Sequence, residues 1–213
     1  LRLPEMQRGY VWKAPRVRDL LDSLYRGYPS GAILLWETDE EVPVREFAVA
    51  ASQSPYQSTR LLLDGQQRLT SLASVIRGKP VTVRGRQKPI DLLFNLEHPE
   101  GIGRITEVEE DADDDDIPND TEADEDEHDL QRRIEAMTFI VSSSKLASRP
   151  NWVSVSEVFS KDSDYAFLKR AGVEDLEDPR YEKYAHRLAK LRGIKKYVYR
   201  MDVLERTLDY DEV

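Results

Sequence analysis

Residues 61 to 70 read LLLDGQQRLT, and this stretch decides the fold of the chain. Its first three residues are apolar and suit a buried strand, whereas Leu69, Leu72 and Ile76 recur at helical spacing. The polar residues between them therefore lie where a strand gives way to a helix. At such a junction the backbone N–H groups and the positive end of the helix dipole favour a bound phosphate.

The side chains of this junction allow two interpretations. Arg68 adds a permanent charge with a forked set of donors, and Gln66 and Gln67 add amide donors that suit phosphate oxygens. In the purely structural interpretation, Asp64 is the helix N-cap, Gln67 completes a capping box, and Gly65 relaxes the turn. The junction taken by itself leaves both interpretations open.

A second Gln-Arg pair occurs upstream, in residues 7 to 12, which read QRGYVW. Gln7 and Arg8 stand beside the aromatic residues Tyr10 and Trp12, ahead of a helix predicted to begin near Pro15. Two such pairs suggest one shared anion, with the aromatic rings available to stack on a base. The alternative is that Tyr10 and Trp12 pack in the core while Arg8 lies on the surface.

Together the two segments resemble the N-terminal domain of GmrSD-type, modification-dependent restriction enzymes and related phage-defence proteins. The shared segments are QRGYVW at 7–12, Gly31-Ala32-Ile33, DGQQRLT at 64–70 and Phe94-Asn95-Leu96, in the order of the family. The resemblance is dense from residue 2 to about residue 96 and then thins to pattern only. Met6 departs from the family, in which an aromatic residue often precedes the first Gln-Arg pair.

This resemblance carries expectations about fold and organisation. It implies an α/β (α+β) fold like that of ParB and sulfiredoxin, with a small mixed sheet, flanking helices and a further C-terminal α/β extension. It also implies that the protein continues beyond Val213 into a nuclease or effector region. We therefore expect this chain to be part of a longer protein that acts on DNA.

Hydrophobic periodicity predicts the remaining elements. A helix from Pro15 is ended by Gly27, and a buried strand follows at 32–36. Beyond residue 130 we predict short helices at 153–159 and 165–171, a longer helix at 180–192 that Gly193 ends, and a final strand at 195–204.

The composition excludes several classes of protein. The chain has 213 residues, 39% of them hydrophobic, and no long apolar segment, which predicts one sizeable domain or two small ones without a membrane span or secretory signal. It has no cysteine, which excludes disulfides, thiolate metal sites and a cysteine nucleophile. We expect a cytoplasmic protein.

The net charge of −10 arises from one segment. Residues 107–129 carry 15 acidic side chains and no Lys or Arg, so 26 acidic and 31 basic side chains, a net charge of +5, remain elsewhere. Such a run repels itself and buries little apolar surface, so we expect a disordered insertion. It is either a solubilising loop or a mimic of nucleic-acid charge that competes for the basic face.

This insertion divides the chain. We predict a ParB-like nucleotide-binding core at 1–106, the insertion at 107–129, and a remainder at 130–213 that belongs to the same domain or forms a second subdomain.

Several chemistries have no motif in this sequence. There is no P-loop and no His-Glu-x-x-His pattern. His98, His128 and His186 stand far apart, so we interpret them as surface or loop residues and predict no protein metal site. No His-Asn-His nuclease pattern is visible, which places DNA cleavage outside this chain.

These observations predict a domain that binds and hydrolyses a nucleoside triphosphate and thereby regulates a DNA-targeting restriction or phage-defence protein. Phosphoryl transfer needs positioning and charge neutralisation, for which Arg8 and Arg68 clamp oxygens and Asp64 faces the Mg²⁺ of the nucleotide. The predicted catalytic residues are Asp64, Gln66, Gln67 and Arg68. The predicted nucleotide-binding residues are Gln7, Arg8, Tyr10, Gly65, Arg68 and Thr70.

Two other functions stay open at this point. One is a nucleotide switch without hydrolysis, and the other is a DNA-binding module whose Gln-Arg pairs grip backbone phosphate. The sequence also leaves open which base is bound, guanine included, and whether the protein forms a homo-oligomer.

Overall fold

The computed structural model describes residues 2–4, 11–38, 44–46, 59–79, 91–101 and 131–208. Within these ranges the chain forms two β-sheets with helices packed beside them, which confirms the predicted mixed α+β class. The acidic run at 107–129 lies outside the described residues. No helix in the described ranges is both long and apolar enough to cross a membrane.

The larger sheet has five strands in the order β3-β1-β4-β2-β8. These strands are β1 Arg2–Pro4, β2 Ile33–Thr38, β3 Val44–Glu46, β4 Thr59–Asp64 and β8 Met201–Leu204. β1 is parallel to β4 and β8 is parallel to β2, while the other two neighbouring pairs are antiparallel. The sheet is therefore mixed, and the last described strand of the chain forms an edge beside β2.

The smaller sheet has three antiparallel strands in the order β6-β5-β7. These strands are β5 Leu92–Asn95, β6 Phe139–Val141 and β7 Trp152–Ser154. All four side chains of the central strand β5 are buried. This burial on both faces explains why the first three residues of β5 are all apolar, without the alternation of a strand that has one face in water.

The helices flank both sheets. They are α1 Ala14–Arg26, α2 Gln66–Ile76, α3 Ser144–Ala147, α4 Val155–Ser160, α5 Tyr165–Arg170 and α6 Arg180–Arg192, followed by a 3₁₀ helix at Gly193–Lys196. α1 has Pro15 in its first turn and ends at Gly27, whose φ of 79° is left-handed. Both of these end signals agree with the prediction from sequence.

One large core cluster joins α1, α2, the smaller sheet and α4 to α6. Leu21 and Leu72 contribute to this cluster from before the acidic run, and Phe159 and Leu188 contribute from after it. A smaller cluster on the larger sheet packs against Leu69 of α2. Because α2 contacts both clusters, its first turn is fixed relative to β2 and α1. The division of the chain at residues 106 and 130 stays a prediction.

Two predicted elements are wrong in their bounds. Residues 195–204 are not one strand, because the chain continues from α6 into the 3₁₀ helix and buries Ile194 in the core before β8 begins at Met201. The helix predicted at 153–159 begins only at Val155. Ser154 is its N-cap and accepts a hydrogen bond from the Glu157 N–H at 3.2 Å, so the residues before it are free to join the smaller sheet.

Candidate functional site

Gly65 makes the turn between β4 and α2. Its φ of 100° is left-handed, and it is the N-cap residue of α2 without any side-chain cap. Asp64 is still paired with Leu34 in the larger sheet, so the N-cap interpretation of Asp64 is wrong. A single residue at positive φ turns the strand into the helix, which glycine does without steric cost.

Gln67 joins the two signature segments. Its Oε1 accepts hydrogen bonds from the backbone N–H groups of Val11 at 2.9 Å and Trp12 at 3.3 Å. This oxygen therefore faces the end of the QRGYVW segment, and the capping box predicted for Gln67 is wrong as well. Gln7, Arg8 and Tyr10 lie outside the described residues.

Arg68 binds the backbone of a loop that is distant in sequence. Its Nη1 donates to the Ser30 carbonyl at 2.5 Å, and its Nη2 donates to the Ala32 carbonyl at 2.6 Å and to Asp64 Oδ2 at 2.8 Å. The Arg68 side chain is only 14% exposed, whereas that of Asp64 is 72% exposed. Arg68 thus braces the loop that leads into β2.

Gly31 allows this bracing contact. A Cβ atom at residue 31 would overlap Nη1 of Arg68, and the φ of 86° is also one that other residues rarely adopt. Gly31 and Arg68 both belong to the segments that carry the family resemblance. The structure explains their joint presence by close packing of a guanidinium against a glycine backbone.

A cleft of about 370 Å³ opens at the start of α2. The described residues that line it are Trp12, Arg16, Asp64, Gly65, Gln66, Gln67 and Arg68. Four predicted site residues, the catalytic set of the sequence prediction, therefore share one cavity with Trp12. Thr70, which was also predicted, is half-buried one turn further along α2 and does not line the cleft.

Gln66 is the unusual member of this lining. Its Oε1 is buried and has no hydrogen-bond partner among the residues that the structure describes. A buried polar atom without a partner costs free energy, on the order of 1–3 kcal/mol, so native proteins seldom leave one unexplained. A ligand or ordered water in the cleft would supply the missing hydrogen bond.

Arg16 is a cleft residue that the sequence reasoning missed. It lies in the first turn of α1, which contains no acidic side chain. A cation at a helix N-terminus opposes the helix dipole, so an arginine in the first turn of a predicted helix is the signal that could have identified Arg16.

Charge in the cleft favours an anion at its inner wall. The start of α2 presents the positive end of its dipole, and Arg16 adds a full charge. Asp64 offsets much of the Arg68 charge through their ion pair at 2.8 Å. Arg16, Arg68 and the first turn of α2 are the sources of positive potential among the described residues of the cleft.

A further segment of the family resemblance, Phe94-Asn95-Leu96, is fully buried and does not line the cleft. Asn95 Nδ2 donates to the carbonyls of Glu135 and Met137, at 3.0 and 3.2 Å. Its Oδ1 accepts from the Glu97 N–H at 2.8 Å and from Asn151 Nδ2 at 2.9 Å. Every polar atom of this amide is paired within the protein, which indicates a structural role.

His98 follows that segment in a loop, one of the two places predicted for it, but it is only 8% exposed, whereas His186 is exposed. Its Nδ1 lies 2.9 Å from the Pro99 carbonyl, which can only accept, so Nδ1 carries the proton and Nε2 accepts from the Tyr25 hydroxyl at 3.0 Å. Burial lowers the pKa of His98 to about 4, with Arg187 and Arg26 adding to the effect. Burial also raises the pKa of Tyr25 to about 12.

No group of three or more His, Asp and Glu side chains within the described ranges is arranged to hold a metal ion. His98 is occupied by Tyr25 and Pro99, and Asp64 is the one carboxylate among the described residues of the cleft.

Comparison with known proteins assigns the family. The family model of the GmrSD restriction endonuclease N-terminal domain matches residues 1–208, and the chain therefore belongs to this family. An uncharacterized protein of Methanocaldococcus jannaschii is 32% identical over 101 residues. That match covers 44% of this chain and 17% of the archaeal protein, so it spans a small part of that relative.

Proposed function

We propose that this GmrSD N-terminal domain binds a nucleoside triphosphate in the cleft at the start of α2 and hydrolyses it to regulate a DNA-targeting protein. The observation that supports the proposal is the convergence of Asp64, Gln66 and Gln67 with Trp12 and Arg16 in one cavity. Its 370 Å³ lie within the range of about 300–1,000 Å³ that is usual for small-molecule sites.

The phosphate groups bind at the inner wall. Backbone N–H groups of the first turn of α2 and the guanidinium of Arg16 supply the donors and the positive charge. Trp12 is half-buried and packs against the large core cluster, and the part of its ring that lines the cleft is where a base stacks. This arrangement recognises the triphosphate more strongly than the base.

Gln66 and Asp64 perform the positioning that hydrolysis requires. The side-chain amide of Gln66 orients the attacking water, because its Oε1 has no competing partner. Mg²⁺ in nucleotide sites is held by one or two carboxylates together with phosphates and waters, and it neutralises charge on the phosphates. The exposed carboxylate of Asp64 fits that requirement, because only its Oδ2 is engaged, by Arg68.

Arg68 contributes to the site as a positioning residue. Its two terminal nitrogens are committed to Ser30, Ala32 and Asp64, so it holds the cleft wall and the carboxylate in place. Direct clamping of phosphate belongs to Arg16 in this proposal. Arg8 remains a second candidate, on sequence grounds.

The test compares two charge-neutralising variants, one of Arg16 in the cleft and one of Lys79 outside it. Arg16→Ala should weaken triphosphate binding, measured by calorimetry with Mg²⁺, by about tenfold or more, since a charge-assisted hydrogen bond contributes about 1.5–3 kcal/mol. Lys79→Ala removes the same charge beyond the far end of α2, where its side chain is exposed. It should leave the affinity unchanged.

Measurements of phosphate release and of DNA binding distinguish hydrolysis from the two alternative functions. Gln66→Ala should abolish most phosphate release while binding persists, because the residue positions water. Saturable binding without phosphate release by the wild type would support a switch without hydrolysis. Duplex DNA binding that weakens with salt and ignores nucleotide would support the DNA-binding module instead. Equal triphosphate affinity of Arg16→Ala and Lys79→Ala would contradict the site.

A further inference from the structure

The strand β8 leaves one edge of the larger sheet open. No described strand pairs with β8 on the side away from β2. Val198, Met201 and Val203 are 86%, 63% and 50% exposed along this edge. An edge strand with exposed apolar side chains is a template for pairing with a further strand, and native proteins normally protect such edges.

The backbone of β8 also directs hydrogen-bonding groups outward. Ile33 lies opposite Met201, and its N–H donates to the Arg200 carbonyl at 2.9 Å. Alternate residues of a strand direct their N–H and C=O groups to opposite edges. Since Arg200 and Asp202 direct theirs at β2, Met201 and Val203 direct theirs at the open edge.

We propose that two copies of this chain associate through β8, with antiparallel pairing across a two-fold axis at Met201. The paired Met201 residues exchange both backbone hydrogen bonds, which is an allowed centre for an antiparallel pair. The two five-stranded sheets then form one continuous sheet. This is an isologous interface, in which the same surface is used by both subunits.

The sequence around Met201 is complementary to itself in this register. Residues 198 to 204 read VYRMDVL. The pairs that the axis produces are Val198 with Leu204 of the second copy, Tyr199 with its Val203, Arg200 with its Asp202, and Met201 with its own equivalent. Each pair is apolar with apolar or positive with negative, and such cross-strand pairs stabilise a sheet.

Charge fixes this register against its neighbours. Arg200 and Asp202 lie on one face of β8 and contact each other at 2.9 Å within the chain, with 80% and 44% of their side chains exposed. In the proposed dimer each of them also faces its opposite charge across the axis. A shift of the axis by one residue would place Arg200 opposite the Arg200 of the second copy, or Asp202 opposite its Asp202, and like charges opposite each other are destabilising.

On the other face, Met201 and Val203 continue a covered apolar surface. Met201 lies beside Ile33 and Val203 lies beside Leu35, and both of these β2 residues are buried in the smaller core cluster. Met201 and Val203 therefore extend the apolar face beyond the residues that are buried within one copy. In the dimer, Met201 and Val203 of the second copy lie next to them on the same face of the continuous sheet.

The test uses two opposite charge reversals, followed by sedimentation velocity of the full chain. Arg200→Asp places two acidic residues opposite each other, and Asp202→Arg places two arginines opposite each other. Each variant by itself should dimerise about tenfold or more weakly than the wild type, because two pairs become repulsive. An equal mixture of the two variants should recover a dimer, since both charge pairs are attractive in the mixed species.

The double variant Arg200→Asp/Asp202→Arg has the composition of the wild type and should also recover the dimer. Lys79→Asp, which carries the same charge change as Arg200→Asp on an exposed residue away from β8, should leave association unchanged. A wild type that stays monomeric as its concentration is raised overturns the proposal. So do single reversals that dimerise as the wild type does, and a mixture that fails to recover the dimer.

Discussion

Two segments that carry the family resemblance are used in opposite ways. In Phe94-Asn95-Leu96 every side chain is buried, and all polar atoms of the Asn95 amide are paired within the chain. In the segment from Asp64 to Arg68, Gln66 keeps a buried oxygen without a partner, and the side chains border a cleft. The polar residue of the first segment, Asn95, therefore has a structural role. In the second segment, the unpaired oxygen of Gln66 beside a cleft indicates ligand binding.

Each segment is braced by an arginine that binds backbone carbonyls. Arg187 is buried and donates to the Leu96 carbonyl at 2.5 Å, while Arg68 donates to the carbonyls of Ser30 and Ala32. Only Arg68 also borders a cleft and pairs with an exposed carboxylate. The comparison predicts that substitutions in the buried segment change the free energy of unfolding. At the cleft, some substitutions change the free energy of unfolding and others change the affinity for the ligand.

The largest effect on stability is expected for Asn95→Ala. This change leaves two carbonyls, the Glu97 N–H and the Asn151 amide without a shared partner inside the core. The free energy of unfolding should fall by roughly 3–5 kcal/mol, as buried polar groups become unsatisfied. Urea denaturation followed by circular dichroism measures this change.

Asn151→Ala is the control for that experiment, since it removes one of these hydrogen bonds and should cost only about 1 kcal/mol. Triphosphate affinity at the distant cleft should be unchanged in folded protein of both variants. If Asn95→Ala is no more destabilised than Asn151→Ala, the amide is not the organising group of the segment.

The next largest effect is expected for Arg68→Ala. Removal of the guanidinium deprives the Ser30 and Ala32 carbonyls of a charged donor, so the free energy of unfolding should fall by about 2–3 kcal/mol. Arg68→Lys should recover only part of this loss, because an ammonium group lacks the planar fork that reaches both carbonyls. Thermal unfolding of the three proteins measures the series.

Gln66→Ala tests whether Gln66 and Arg68 contribute differently to stability. Because Gln66 Oε1 has no partner among the described residues, its removal breaks no hydrogen bond and should destabilise the protein by no more than about 0.5 kcal/mol. A destabilisation of Gln66→Ala as large as that of Arg68→Ala would show that the segment is structural throughout.

A further effect on stability is the pH dependence that His98 contributes. Its pKa in the folded protein is lowered to about 4 by burial, whereas an unfolded histidine titrates near 6.5, so the unfolded state binds more protons between these values. Stability from this group is full above the unfolded pKa and is lost as the pH falls toward 4. We expect it to amount to about 2 kcal/mol at most.

His98→Gln isolates this contribution from the carboxylates that titrate in the same range. The difference in unfolding free energy between wild type and His98→Gln should shrink as the pH falls from about 7 to about 4. A difference that stays constant over this interval would mean that His98 does not remain neutral in the folded protein.

Much of the local structure follows from short stretches of sequence. Pro15 and Gly27 mark the two ends of α1 through fixed backbone preferences, and the bounds of α6 at Arg180–Arg192 agree with its apolar spacing. Gly65 and the residues around it predict the strand, turn and helix that form the cleft wall. The catalytic residues predicted from sequence, Asp64 to Arg68 without Gly65, therefore lie together because they are neighbours in the chain.

Long-range packing decides what these residues do. Arg68 reaches carbonyls at residues 30 and 32, Gln67 reaches the backbone at residues 11 and 12, and Arg16 enters the cleft from another helix. His98 is buried because α1 supplies Tyr25 as its partner. Partners and burial of this kind depend on which segments meet in space, and no local pattern specifies that.

Backbone preferences and apolar periodicity act over a few residues, so the helix ends and the strand–turn–helix with its polar side chains could be predicted from local patterns, and the family resemblance predicted the class of fold. The bracing contacts of Arg68, the unpaired oxygen of Gln66 and the place of β8 beside β2 could not be predicted in this way. They depend on hydrogen-bond partners and desolvation, which are set by contacts between residues far apart in the chain.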